Sequence, residues 1–248
     1  MSSLSFLGLA FYVLVLIGAF AVRSAAGFGA GLIAVPMLAF VLPVSTAVSV
    51  ATALTTLTSV RQVSRDWRQI AWRQFASVVF YTVIGIGLGF YFIKLLNEDA
   101  LRRSLGAFLI FYSVHALWTA NASSVLPARC HGVLAAGAGI VAGLVSALFG
   151  SGAGPIYVVY FNILRMEKDV FRVTMSAVVL IGGAARLAGY ASYGFYGGAT
   201  ITLLAVGLPL VVVGSWLGDW LARRLNPLAF RSLVGGLVML SGVALLLK

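Results

Sequence analysis

Residues Leu4–Val22 read LSFLGLAFYVLVLIGAFAV, 19 positions without one charged side chain. At about 1.5 Å per residue such a helix reaches about 28 Å, close to the roughly 30 Å hydrocarbon core of a bilayer. No positively charged segment precedes it, so it is expected to be a retained membrane helix and not a cleaved signal. Working outward, the whole chain of 248 residues repeats this character: 61% of it is hydrophobic, 9% charged, and the mean hydropathy is +1.06. A water-facing surface needs about 25% charged residues. The composition therefore predicts an all-α integral membrane protein with no room for a soluble domain. The formal net charge of +11 falls in short loops, where Lys and Arg set orientation, so no nucleic-acid partner is implied. Cys130 is the single cysteine, which excludes an intramolecular disulfide and a cysteine-based metal cluster.

The segment repeats on a larger scale. Gly27-Phe28-Gly29-Ala30-Gly31 is echoed by Gly150-Ser151-Gly152-Ala153-Gly154. Gly85, Gly89, Ala100, Arg102 and Gly106 are echoed by Gly214, Gly218, Ala229, Arg231 and Gly235 at a constant offset of 129. These pairs divide the chain into a first membrane repeat, 1–121, a polar linker, 122–130, and a second membrane repeat, 131–248. Hydrophobic runs predict helices at 4–24, 28–41, 43–61, 73–95 and 101–119, then at 132–149, 153–164, 172–190, 199–222 and 227–247. The segments 28–41 and 153–164 reach only about 18–21 Å. Each follows a glycine-rich break, the pattern of a discontinuous transporter helix that starts inside the membrane.

Loop charges bear on topology. If every segment changes sides, eleven loop Lys and Arg residues share the side of the 61–73 loop, and only Lys94, Arg102, Arg103 and Lys248 lie opposite. If each glycine-broken pair is one kinked helix, the split is nine to six. The positive-inside bias favours the first arrangement, in which the two pseudo-symmetric repeats are inverted and both termini lie outside.

The glycine breaks are the first candidate site. Glycine lets backbone N–H groups approach a ligand, and a helix starting just after it presents unpaired donors at the positive end of its dipole. Gly29, Ala30, Gly31, Gly152, Ala153 and Gly154 are therefore candidate anion-binding positions, against the alternative that these glycines only allow close packing. Packing is the expected role of Gly85, Gly89, Gly214 and Gly218, spaced four apart on one helix face. Ser45, Ser49, Thr52, Thr56 and Ser59 follow at intervals of 4, 3, 4 and 3, a continuous hydroxyl stripe. Such a stripe lines a polar path, or its hydroxyls bond back to their own helix carbonyls. Thr52 aligns with Ser176 of the other repeat, which makes the two a candidate pair. Arg186 lies inside a predicted span and is a candidate ligand, because a buried charge in a membrane is costly without a function. Arg23, near a helix end, is expected to reach an interface instead, and Asp219 is placed to pair with Arg223. His115, alone in its span, reads as a packing residue. No metal-ligand spacing, cofactor motif or nucleophile with a partner stands out, so catalytic and metal sites are expected to be absent.

The chain resembles the TauE/SafE sulfite/sulfonate exporter family, also called the toluene-sulfonate uptake permease group. The resemblance rests on Gly27-Phe28-Gly29-Ala30-Gly31 with Pro36 after it, the Ala51-Thr52 helix, the basic loop ending in Asp66-Trp67, and the element at 85–106. It spans essentially the whole chain. The second copy departs from the family pattern at Pro155 and Tyr157. The resemblance implies a bacterial inner-membrane carrier whose substrate is a small organosulfur compound or sulfur oxyanion, working in the lipid bilayer by alternating access. A non-transporting scaffold or assembly subunit is the other reading, but a scaffold has no need of polar groups aligned inside lipid.

Overall fold

A computed structural model of the chain describes residues 6–26, 28–118, 131–150 and 153–222. The linker 122–130, the predicted span 227–247, Gly152 and the side chain of His115 lie outside the described residues. So does the second copy of the 100–106 element.

Nine α-helices are described: α1 (Phe6–Ala26), α2 (Ala30–Leu38), α3 (Val44–Asp66), α4 (Trp72–Ile93), α5 (Glu98–Trp118), α6 (His131–Phe149), α7 (Gly154–Ile163), α8 (Lys168–Ser192) and α9 (Gly198–Ala222). No strand occurs among the described residues. In five of these helices a segment is long and apolar enough to cross a membrane: Phe6–Ser24, Trp72–Ile93, Gly132–Phe149, Asp169–Ser192 and Gly198–Trp220. In lipid every backbone N–H and C=O must be satisfied within its own segment, which is why an apolar chain takes this all-helical form.

The two short segments are shorter than their hydropathy suggests. With 9 and 10 residues, α2 and α7 reach only about 14–15 Å, half the hydrocarbon core. Gly29 stands before α2 with φ at 99°, a left-handed conformation that a Cβ resists. The helices flanking the basic loops run longer than expected. Helix α3 continues through Arg61 and Arg65 to Asp66, because arginine is a good helix former even where it leaves the membrane. Helix α8 already begins at Lys168, with Asp169 in its first turn against the positive end of the dipole.

Packing is set by small residues. Lipid supplies no hydrophobic force between helices, so close backbone approach must hold them together. A side chain at Gly85 of α4 would strike the backbone of Ile140 on α6, and one at Gly89 the backbone of Leu144. A side chain at Gly214 of α9 would likewise strike Ile17 of α1, and one at Gly218 would strike Ala21. The expectation that these four glycines serve packing is correct. Both pairings run parallel, since the higher number on one helix meets the higher number on its partner. At the centre, α3 crosses α8 antiparallel: Thr56 fills the space beside Gly183, while Gln62 meets Ser176. Helix α3 is too polar to face lipid; its Ser49, Thr52, Thr55, Thr56 and Ser59 are all buried.

Candidate functional site

The site grows from the α3–α8 crossing. Most hydroxyls of the α3 stripe bond back to their own helix: Ser49 to the Thr46 carbonyl at 3.0 Å, Thr56 to Thr52 at 2.7 Å and Ser59 to Thr55 at 2.9 Å. For these residues local self-satisfaction is the correct account. Thr52 is the exception. Its Oγ1 makes no bond to its own helix and lies against Gly150, with the Tyr190 hydroxyl as its one polar neighbour. Tyr190 directs its proton elsewhere, to the Ala147 carbonyl at 2.6 Å.

Arg186 is on the same end of α8, one turn before Tyr190. It is 3% exposed, and its Nε and Nη2 have no hydrogen-bond partner. Its electrostatic neighbours are the phenols of Tyr190, Tyr157 and Tyr196, with no carboxylate among them. Tyr157, on the short helix α7, shares a 3.0 Å hydrogen bond with Thr82 of α4. The fold thus buries a guanidinium fork among phenol hydroxyls, with its Nε and Nη2 unpartnered. Tyr157, one of the two positions at which the second repeat departs from the family pattern, lies beside the guanidinium.

The two glycine breaks lie close together. A methyl group added at Gly154 would come within 3.1 Å of Phe28 and 3.6 Å of Met175. Gly150 takes φ 71°, and a Cβ there would lie 3.2 Å from Thr52 Oγ1. Ala30, Gly31 and Ala153 are buried at the starts of the two short helices. Gly152 lies outside the described residues.

Ser176 is elsewhere. It sits ten residues before Arg186 on α8, about 15 Å along the axis, and donates to Gln62 Oε1 at 2.8 Å. The structure brings Thr52 and Arg186 to one end of the crossing and Ser176 to the other. Arg23 corrects an expectation more directly. It does not reach an interface: it is 7% exposed and its Nη2 donates to Ser59 Oγ at 2.7 Å. The hydroxyl ladder of α3 supplies the acceptor, so the long side chain turns inward. Asp219 accepts from Ser24 Oγ at 2.5 Å; Arg223 lies outside the described residues. Sequence reasoning missed Tyr190, Tyr157 and Tyr196, since an aromatic residue in an apolar run carries no mark of what its hydroxyl faces. The one available signal was the i, i+4 spacing of Arg186 and Tyr190.

With α2 and α7 as broken half-helices beside a buried cation, the architecture is that of a membrane transporter. The family model for the sulfite exporter TauE/SafE matches residues 11–245, and the chain belongs to that family. A probable inner membrane transporter protein, TsaS, of Comamonas testosteroni is 26% identical over 182 residues, covering 73% of this chain and 74% of that protein. No solved structure matches the chain.

Proposed function

We propose that the protein is a secondary carrier of a small sulfur-containing anion, sulfite or an organosulfonate, bound at Arg186. The observation that carries this reading is the buried guanidinium with Nε and Nη2 unpartnered. Leaving a charge unpaired in a low-dielectric interior costs several kcal/mol. An oxyanion offsets that cost by accepting two parallel hydrogen bonds from the fork. Thr52 Oγ1 adds a donor, and the N–H groups that open α2 and α7, near Gly29–Gly31 and Gly152–Gly154, add positive dipole ends. The family supports a sulfur anion over other anions, and the TsaS relative supports transport across the inner membrane. The protein is a multi-pass protein of the inner membrane.

We read its architecture as two inverted membrane repeats, 1–121 and 131–248, joined by 122–130. The matched glycine interfaces of α4 with α6 and α9 with α1 support this, as does the antiparallel crossing of α3 and α8. In that frame Thr52 and Ser176 occupy equivalent positions facing opposite sides. Alternating access would then exchange the two ends: Ser176 is bonded to Gln62, and Arg186 carries unpartnered nitrogens. The reading needs no cofactor, metal or catalytic step. Nor does it involve nucleic acid.

Flux into liposomes containing the purified protein tests it, with sulfite, methanesulfonate, taurine and sulfate offered in turn. Saturable flux of sulfite or a sulfonate that is lost in Arg186→Gln is the expected result. Undiminished flux in Arg186→Gln would move the site elsewhere.

A further inference from the structure

A cavity of about 260 Å³ opens where α4 ends and α3 begins. Lys94, Asn97, Ser45, Tyr193 and Phe195 line it. Lys94 is exposed, its Nζ 5.9 Å from the centre of the Tyr193 ring. Asn97 commits its Oδ1 to the Ala100 N–H at 2.8 Å, capping α5, so the amide nitrogen is the end left for a ligand. Ile93, Leu96 and Leu101 complete the lining, so most of the wall is apolar and the ammonium of Lys94 is its one cation, beside the neutral donors of Ser45 and Asn97.

The cavity is also one layer from Arg186. Tyr193 stacks on Phe90 at 5.6 Å and Phe195 on Tyr190 at 5.4 Å, and Phe90 meets Tyr190 edge-on at 5.3 Å. Tyr193 and Phe195 face the cavity; Tyr190 faces the guanidinium. The α3 stripe runs the same way. Ser45 lines the cavity, the Ser49 carbonyl accepts from Tyr196 at 3.5 Å, and Thr52 stands at the site. Seven residues of helix separate Ser45 from Thr52, about 10 Å. Because α4 runs from the basic 61–73 side to Lys94, the cavity opens on the opposite face.

We propose that this cavity is an outer binding station for the same small anion, with Lys94 as its cation, and that it feeds Arg186 through the four-ring layer. The inference rests on Arg186 being the central ligand. An exposed ammonium is a weak, strongly hydrated point charge, which suits capture and release better than tight holding. Its contribution is to raise the local anion concentration and the rate of entry, an effect that salt screens.

Initial rates of sulfite flux in proteoliposomes, measured over a concentration series at low and high ionic strength, test the proposal. Lys94→Gln should raise KM about three- to tenfold with little change in kcat and flatten the salt dependence, and Lys94→Arg should restore both. A Lys94→Gln variant with the KM and salt response of the parent protein, alongside an inactive Arg186→Gln, would overturn the station and leave the central site standing. A fall in kcat at unchanged KM would also overturn it, marking Lys94 as a structural residue. Full transport by Arg186→Gln would sink the central site, and with it the station as its antechamber.

Discussion

The two ends of the α3–α8 crossing are built from similar parts and treat them differently. At one end Ser176 donates to Gln62, Arg23 donates to Ser59, and Thr174 Oγ1 accepts from the Ala71 N–H at 3.1 Å. Each of these three groups has a partner, although the buried Nε of Arg172, one turn before Ser176, has none. At the other end two nitrogens of Arg186 have none, although Arg186 is as deeply buried. A buried polar group is normally hydrogen-bonded, and each exception asks for an explanation. The contrast teaches that burial alone does not mark a binding residue in a membrane protein. Arg23 and Arg186 are both buried arginines within apolar helices, and only the hydrogen-bond ledger separates them.

Cysteine accessibility can break this comparison outright. In a Cys130→Ala background, Gln69→Cys should resist an impermeant thiol reagent in intact cells and Gly197→Cys should react. Labelling of both from outside would place the two ends on one side of the membrane and remove the basis for alternation.

Arg186 should show the next largest effect. Losing a charge-assisted hydrogen bond costs about 1.5–3 kcal/mol, roughly ten- to a hundredfold in affinity at about 1.4 kcal/mol per decade. Substrate titration should therefore show Arg186→Lys weakened by about that factor, because an ammonium cannot reproduce the fork, and Arg186→Ala weaker still. Gly29→Val forces a β-branched residue into φ 99°, at a cost of about 1–3 kcal/mol. Its thermal midpoint should fall by several degrees and transport should fall with it; unchanged values would mean that α2 can start elsewhere.

The matched hydroxyls sharpen the contrast. Thr52→Val should weaken substrate binding about two- to tenfold, the value of one neutral hydrogen bond, with little loss of stability, since its hydroxyl makes no bond within its own helix. Ser176→Ala should do the reverse: stability falls by about 1 kcal/mol because the half-buried Gln62 acceptor loses its donor, while affinity holds. Equal behaviour of the two variants in melting and binding would erase the distinction between the ends. The smallest effect is expected from Arg23→Lys, which keeps the charge beside Ser59 and should leave KM unchanged in the flux assay.

What the sequence by itself determined was whatever depends on composition and period. Nineteen uncharged residues read as a membrane helix, and a glycine-rich break before a short apolar run reads as the start of a short helix. Gly85, Gly89, Gly214 and Gly218 were legible as packing residues from their spacing, because helix geometry is local. Tertiary structure decided which polar groups were left over. Distance from a helix end separated Arg23 from Arg186 in the sequence, but whether each is satisfied depends on other helices: Ser59 accepts from Arg23, while Nε and Nη2 of Arg186 have no partner. The stripe of α3 could be seen, but not that Thr52 would turn its hydroxyl away from its own helix, since back-bonding depends on what crosses at Gly150 and Tyr190. The phenols of Tyr157, Tyr190 and Tyr196 reach Arg186 from different segments, and only the crossing of α3, α7 and α8 brings them together. Hydrogen-bond satisfaction is a property of pairs distant in the chain, so it was decided by the packing and not by the order of residues.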